Sequence, residues 1–245
     1  MSTLFEMLVK GGPVMIPLGG LSIATVACTL ERGLFWFGVL RGEDKTAHQV
    51  LDTARYDWDK AREIAEKSQH LAIARFMLAP LKLNRPSPET FRLAMEAAAD
   101  REFIQMRKGD KLLETVVGMA PLFGLLGTVT GLIVTFLNLK IGGGANIDTT
   151  KAALGIAEAL LTTAAGMVVA LMALASFRMC VTLQARQIDY FAEIGSELEL
   201  IYRQVWYEPS VDESLIITNE HLQGATDPQL VEQLATLIHQ IARKS

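Results

Sequence analysis

Residues that carry chemistry are scarce in this chain. It has four histidines and two cysteines in 245 residues, and only 20% of its side chains are charged. Cys28 and Cys180 each lie in an apolar stretch with no second ligand nearby, which suits neither a disulfide framework nor a metal site. They read as small packing residues. The histidines are scattered, and no Ser/His/Asp set or phosphate-binding glycine loop accompanies them, so no covalent catalyst, metal or cofactor is expected. Positive charge is not in excess either: the net charge of -4 leaves no electrostatic footprint for nucleic acid. Strand-like alternation and internal repeats are also missing.

What the chain has is hydrophobicity, in half of its residues, with a positive mean hydropathy. The excess sits in three runs, 14–40, 116–139 and 154–181, each at or above the about 20 residues that a helix needs to cross a bilayer. The expected fold is therefore an all-α polytopic membrane protein with three transmembrane helices. Thr25-Val26-Ala27-Cys28 faintly suggests a lipoprotein cleavage site. The run continues through Phe35-Trp36-Phe37, however, beyond the about 7–15 residues of a signal-peptide core, so an uncleaved span is preferred. Pro17 falls in the first helical turn, where a missing N–H is tolerated.

The remaining segments are 1–13, a long 41–115, a short 140–153 and a tail 182–245. Residues 41–114 hold 14 of the 23 Lys and Arg, whereas the glycine-rich connection after span two holds only Lys140 and Lys151. The positive-inside tendency then places the long segment and the C-terminus in the cytoplasm, and the N-terminus and the glycine loop outside. Arg107, Lys108, Lys111, Arg178 and Arg186, close to the membrane ends, agree with that orientation. The cytoplasmic segment reads as a charge-laced helix over Thr46–Ser68, a break at Pro86-Ser87-Pro88, and a helix over Glu89–Lys108. Apolar residues from Leu183 to Val205 keep helical spacing, so the third span is expected to extend into the cytoplasm. Asp227-Pro228 opens a last amphipathic helix over 227–245, which either packs on the protein itself or binds a partner.

Glu31-Arg32, late in the first run, reads as a neutralised pair at the membrane boundary in preference to a functional charge. In span two, Ala120, Gly124, Thr128, Gly131 and Thr135 recur every three or four positions. Gly155, Ala159, Thr162, Gly166, Ala170 and Ala173 do the same in span three. Lipid tails give helices no hydrophobic reason to associate, so small residues at this spacing, Gly127 among them, mark close backbone approach. Thr hydroxyls in such helices can also satisfy themselves on the carbonyl of residue i-4. Glu158 either sits at the outer edge of span three or faces protein or a water-filled path, because a buried carboxyl in hydrocarbon is costly.

Leu113–Phe136, LETVVGMAPLFGLLGTVTGLIVTF, and Gly155–Ala170, GIAEALLTTAAGMVVA, resemble the two signature helices of the MotA/TolQ/ExbB proton-channel family. GGPVMIPLGGLSIATVACTLERGLFWF, with its closing Glu-Arg, is similar to that family's first helix. Three spans with one large cytoplasmic segment look like the ExbB and TolQ branch, since MotA-type subunits have four. The resemblance implies a homopentamer in the bacterial inner membrane whose second and third helices line a central pore. It also implies a single-span ExbD- or TolR-like partner in that pore, and an energy transducer similar to TonB or TolA.

Matched residue by residue, the family's pore threonine falls on Thr128, its helix-three glutamate on Glu158 and its later threonine on Thr163, with Thr162 adding a hydroxyl beside it. Five residues turn about 140° on an ideal helix, so Glu158 and Thr163 cannot both face one axis. Thr130, about 200° from Thr128, faces elsewhere. The chain departs from many family members in having no proline in Val168–Ala173 and in its extension after Trp206. The expected function is an ExbB-like subunit of a proton-driven motor energising TonB-dependent transport. A TolQ-like role in envelope maintenance and a non-conducting scaffold are the alternatives. An enzyme reading fails for want of a second catalytic group beside Glu158.

Overall fold

The computed structural model describes residues 13–141 and 149–209, together with Glu232. Most of the glycine-rich connection and the expected helix over 227–245, apart from Glu232, lie outside the described residues. Seven α-helices and no strand occur among the described residues: α1 (Met15–Leu40), α2 (Glu43–Ala54), α3 (Trp58–Lys67), α4 (Ala72–Leu81), α5 (Pro88–Met106), α6 (Asp110–Ile141) and α7 (Thr149–Ile201). A π-helical turn, Tyr202–Tyr207, prolongs α7. Three of the helices are long and apolar enough to cross a membrane. The chain divides into two compact units, one formed by residues up to Arg41 with Asp100–Tyr190, the other by Gly42–Ala99 with residues from Phe191 onward.

The first unit contains α1, α6 and most of α7. Met15 and Leu18 of α1, Leu113, Val116 and Ala120 of α6, and Val169, Ala170 and Ala173 of α7 form its core. Cys28 belongs to this core, and both cysteines are buried free thiols. The opposite faces are apolar as well: Leu122, Leu125, Val129, Ile133 and Phe136 of α6 and Leu160, Val168 and Leu171 of α7 are exposed. A water-soluble fold would not leave so continuous an apolar surface uncovered, whereas lipid or neighbouring membrane helices cover it at no cost. Away from the glycine seam, Thr29 Oγ on α1 lies 2.9 Å from Ser176 Oγ on α7, a polar tie between the first and third spans. At 53 residues, α7 is about 80 Å long, far more than the about 30 Å hydrocarbon core requires.

The second unit shows a correction to the expected single helix over Thr46–Ser68. Asp57 adopts an extended conformation and its side chain accepts a hydrogen bond from the Lys60 amide, so it caps a new helix and divides the segment into α2 and α3. Serine, threonine and aspartate compete with helix continuation in this way wherever they can reach the amide three residues on. The apolar helix α4, which has no charged face to announce it, lies in the unit's core through Ile73, Met77 and Leu81. Ser87 Oγ accepts from the Thr90 amide, and Pro88 is the first residue of α5. The end of α7 is gripped by aromatic rings: Tyr202 stacks on Phe91 at 4.4 Å, its hydroxyl donates to the Pro86 carbonyl, and Trp206 Nε1 donates to the Ala54 carbonyl at 2.9 Å.

Candidate functional site

Helices α6 and α7 run antiparallel in very close contact, and glycines make that contact possible. A methyl group added at Gly166 would come 2.6 Å from the Ala120 carbonyl oxygen and 3.0 Å from Gly124 Cα. At Gly124 it would meet Thr163 Cα at 3.0 Å, and at Gly131 the Ala159 methyl at 2.8 Å. A Cβ at Gly127 would overlap the Thr162 side chain, and one at Gly155 the Thr135 hydroxyl. The seam therefore pairs Ala120 with Gly166, Gly124 with Thr162 and Thr163, Gly127 with Thr162, Gly131 with Ala159, and Thr135 with Gly155. Ala170 is buried in the core at the end of the seam.

The threonines divide by what their hydroxyls do. Thr162 is 1% exposed; its Oγ donates to the Ala159 carbonyl at 2.7 Å and approaches the Gly124 carbonyl at 3.4 Å. Thr163 crosses the seam and donates to the same Gly124 carbonyl at 2.8 Å. Gly124 allows this twice over: its missing side chain lets α7 approach, and its carbonyl receives the hydroxyls that arrive. Thr135, also buried, satisfies itself on Gly131 within α6.

Thr128 is half-buried beside the seam and donates to the Leu125 carbonyl at 2.7 Å. Between Gly124 and Gly131 the contact position is occupied by Gly127, not by Thr128, which leaves the Thr128 side chain at the seam's margin. Thr130 bonds to Leu126 and Gly127 of its own helix. Glu158 is exposed in the single chain, and no hydrogen bond or ion pair reaches it from the described residues. It adjoins Ala159, which is buried in the seam. The arrangement can thus offer hydroxyls and one carboxylate along the margin of a tightly closed helix pair.

These features coincide with a shared sequence pattern. The sequence model of the MotA/TolQ/ExbB proton channel family matches residues 68–193, and so takes in both seam helices. The chain belongs to this family. The ExbB-like protein 1 of Synechocystis sp. is 63% identical over 207 residues, spanning 84% of this chain and 82% of the relative. The ExbB of Salmonella typhimurium is 31% identical over 196 residues, with 74% and 76% of the two chains covered. A TolQ of the Tol-Pal system from Haemophilus influenzae is 32% identical over 114 residues, or 46% of this chain and 49% of that one. This member of the proton channel family is accordingly a multi-pass membrane protein of a transport family. Names from both the ExbB and the TolQ branches occur among its relatives.

One set of residues escaped sequence reasoning. Arg32, read as half of a boundary pair, is 4% exposed, and its guanidinium turns inward to the end of α5 while Glu31, 3.5 Å away, remains exposed. Gln184 on α7 meets the same place. A lone Gln on a long helix carries no periodic signal, and only a Gly between two helical runs, here Gly109, hinted at a break.

Proposed function

We propose that this chain is an ExbB-like subunit of an inner-membrane motor driven by the proton-motive force, in which α6 and α7 of several copies line a central pore. The observation that carries the reading is the α6–α7 seam: a glycine-closed helix pair whose margin presents Thr128 and Glu158, with Thr163 bonded across it. Threonine hydroxyls both donate and accept, so a ring of them can organise water and hydrate a carboxylate without a fixed charge. Thr162 backs this path by holding carbonyls inside the seam, and Thr163 faces it from the subunit's own boundary. The titrating group would be an acidic residue on a single-span, ExbD- or TolR-like partner in the pore. Each proton crossing 100 mV releases about 2.3 kcal/mol, enough when several pass to drive a mechanical step. A TonB- or TolA-like transducer would receive that step.

Five copies, the N-terminus outside and the C-terminus in the cytoplasm complete the proposal. Charge distribution supports the orientation, and the family resemblance supports the number. Glu31 and Arg32 would stand near the cytoplasmic boundary. The high identity to an ExbB-like protein favours the ExbB role. The shorter match to a TolQ keeps the envelope-maintenance role as the second reading, and the transducer that co-purifies with the tagged complex separates them.

The proton path is tested by substituting Thr128→Ala and Thr163→Ala in the intact complex, with Thr130→Val as control. Flux of protons into vesicles carrying the complex should fall at least tenfold for the first two and by less than twofold for the control. Full flux through both Thr128→Ala and Thr163→Ala, at normal expression, would sink the assignment.

A further inference from the structure

Between α5 and α6 the chain breaks for three residues, Arg107–Gly109, and Gly109 has a positive φ of 89° that favours glycine. A side chain at Gly109 would also crowd Cys28 Sγ at 3.0 Å and touch the Arg32 stem at 3.6 Å, so α1 packs directly on the break. A helix end leaves its last carbonyls without partners, which is costly where water is scarce. Here the Gln105 carbonyl keeps the Lys108 amide at 3.3 Å, and side chains from two different membrane helices supply the other partners. Arg32 of α1 sends Nη1 to the carbonyls of Gln105 and Met106, at 3.2 and 3.4 Å. Gln184 of α7 sends Nε2 to the Met106 carbonyl at 3.2 Å and to Asp110 Oδ2 at 2.8 Å.

The side-chain amide of Gln184 has two hydrogens, one for each side of the break. One holds the last carbonyl of α5; the other holds a carboxylate in the first turn of α6, where a negative charge already favours the helix N-terminus. The cationic Arg32 in turn suits the negative C-terminal end of α5. Its guanidinium lies over the Phe35 ring at 4.4 Å, and the exposed Glu31 carboxylate stands 3.5 Å away as a counter-charge. A buried arginine is expensive to desolvate, and here its length carries a donor from α1 to both carbonyls, a reach that the shorter Gln lacks.

We propose that Arg32, with Gln184, is a positioning residue that couples the pore helix to the cytoplasmic helix: it fastens the α5–α6 elbow to α1 and α7, so that movement of α6 carries α5 with it. This rests on the proton-driven reading, and it adds a residue outside the proton path that decides whether flux becomes motion. Loss of Arg32 leaves the path open and frees the elbow.

The test uses the native complex, purified through a tag on the full chain and reconstituted in vesicles. Two quantities are measured: proton flux, and hydrogen exchange of the amides of residues 101–113 with and without an imposed proton gradient. In the unaltered complex the gradient should change exchange there at least threefold. In Arg32→Gln, flux should stay within twofold, exchange without a gradient should rise at least tenfold, and the gradient should no longer alter it. Arg32→Lys and Gln184→Ala, milder changes that keep a charge or keep Arg32, should assemble normally and lose part of the gradient response.

The proposal is overturned if the unaltered complex shows no gradient response in this segment or if Arg32→Gln keeps it. It is equally overturned if flux falls together with the response, or, should Arg32→Gln fail to assemble, if the two milder variants respond fully. Failure of the proton path shows separately, as unchanged flux in the Thr128 and Thr163 variants, whose exchange at 101–113 without a gradient should match the unaltered complex.

Discussion

At the scale of single residues, glycine carries two different duties that the amino-acid letter does not distinguish. Gly118 and Gly166 both lie within membrane helices, yet a Cβ at Gly118 would meet nothing within 4 Å, while at Gly166 it would strike backbone atoms of Ala120 and Gly124. Backbone cannot swing aside as a side chain can, so the seam must open. Gly166→Ala should therefore destabilise the purified oligomer by about 1–3 kcal/mol, the usual cost of overpacking. Gly118→Ala should be neutral or slightly stabilising, since alanine is the better helix former by up to about 1 kcal/mol. Thermal unfolding of the two variants in the same detergent gives the comparison, and equal stability would contradict the seam geometry.

Individual elements were legible to different degrees, for identifiable reasons. The apolar runs behind α1, α6 and α7 stand out because a bilayer demands length and hydrophobicity together, and both can be counted along the chain. The division between α2 and α3 was hidden because Asp57 looks like one more charge on a charged helix until its side chain folds back onto the Lys60 amide. The π-helical end of α7 was hidden too; it depends on rings brought from elsewhere, Phe91 and Trp58, against Tyr202.

That clamp has a pH signature of its own. Burial, followed by the neighbouring Tyr207, raises the pKa of Tyr202, while Arg85 partly opposes the shift. The clamp's contribution should then be intact below about pH 10, the unfolded tyrosine value, and be lost as pH rises through the higher folded value. Near-ultraviolet circular dichroism from pH 9 to 12 should show this loss in the unaltered protein. Tyr202→Phe should remove it, at a cost of about 0.5–1.5 kcal/mol at neutral pH for the missing bond to Pro86.

For the whole molecule, the exposed apolar faces of α6 and α7 are the largest fact that one chain alone leaves without a partner. Lipid could cover them, but the hydroxyls and carboxylate at the seam margin favour other copies of the chain on at least one side. The detergent-solubilised protein should therefore run as a discrete oligomer, with no monomer at micromolar concentration, as judged by light scattering. Cysteine labelling from outside should reach a cysteine introduced in the glycine-rich connection and miss one introduced at Lys60. The reverse pattern would invert the proposed orientation.

Composition and periodicity by themselves determined the class of this protein, a three-span α-helical membrane protein. The resemblance of Leu113–Phe136 and Gly155–Ala170 to the signature helices of the MotA/TolQ/ExbB family pointed to its family. The class follows from constraints written along the chain, since hydrophobic length and helical repeat are local quantities. Tertiary structure decided which small residue meets which. Gly127 fills the contact position beside Thr128, Thr163 reaches the Gly124 carbonyl, and Arg32 and Gln184, 152 positions apart, share the Met106 carbonyl. Such pairings depend on the crossing of helices remote in sequence, and a crossing is set by packing on all faces at once, which no one-dimensional pattern records.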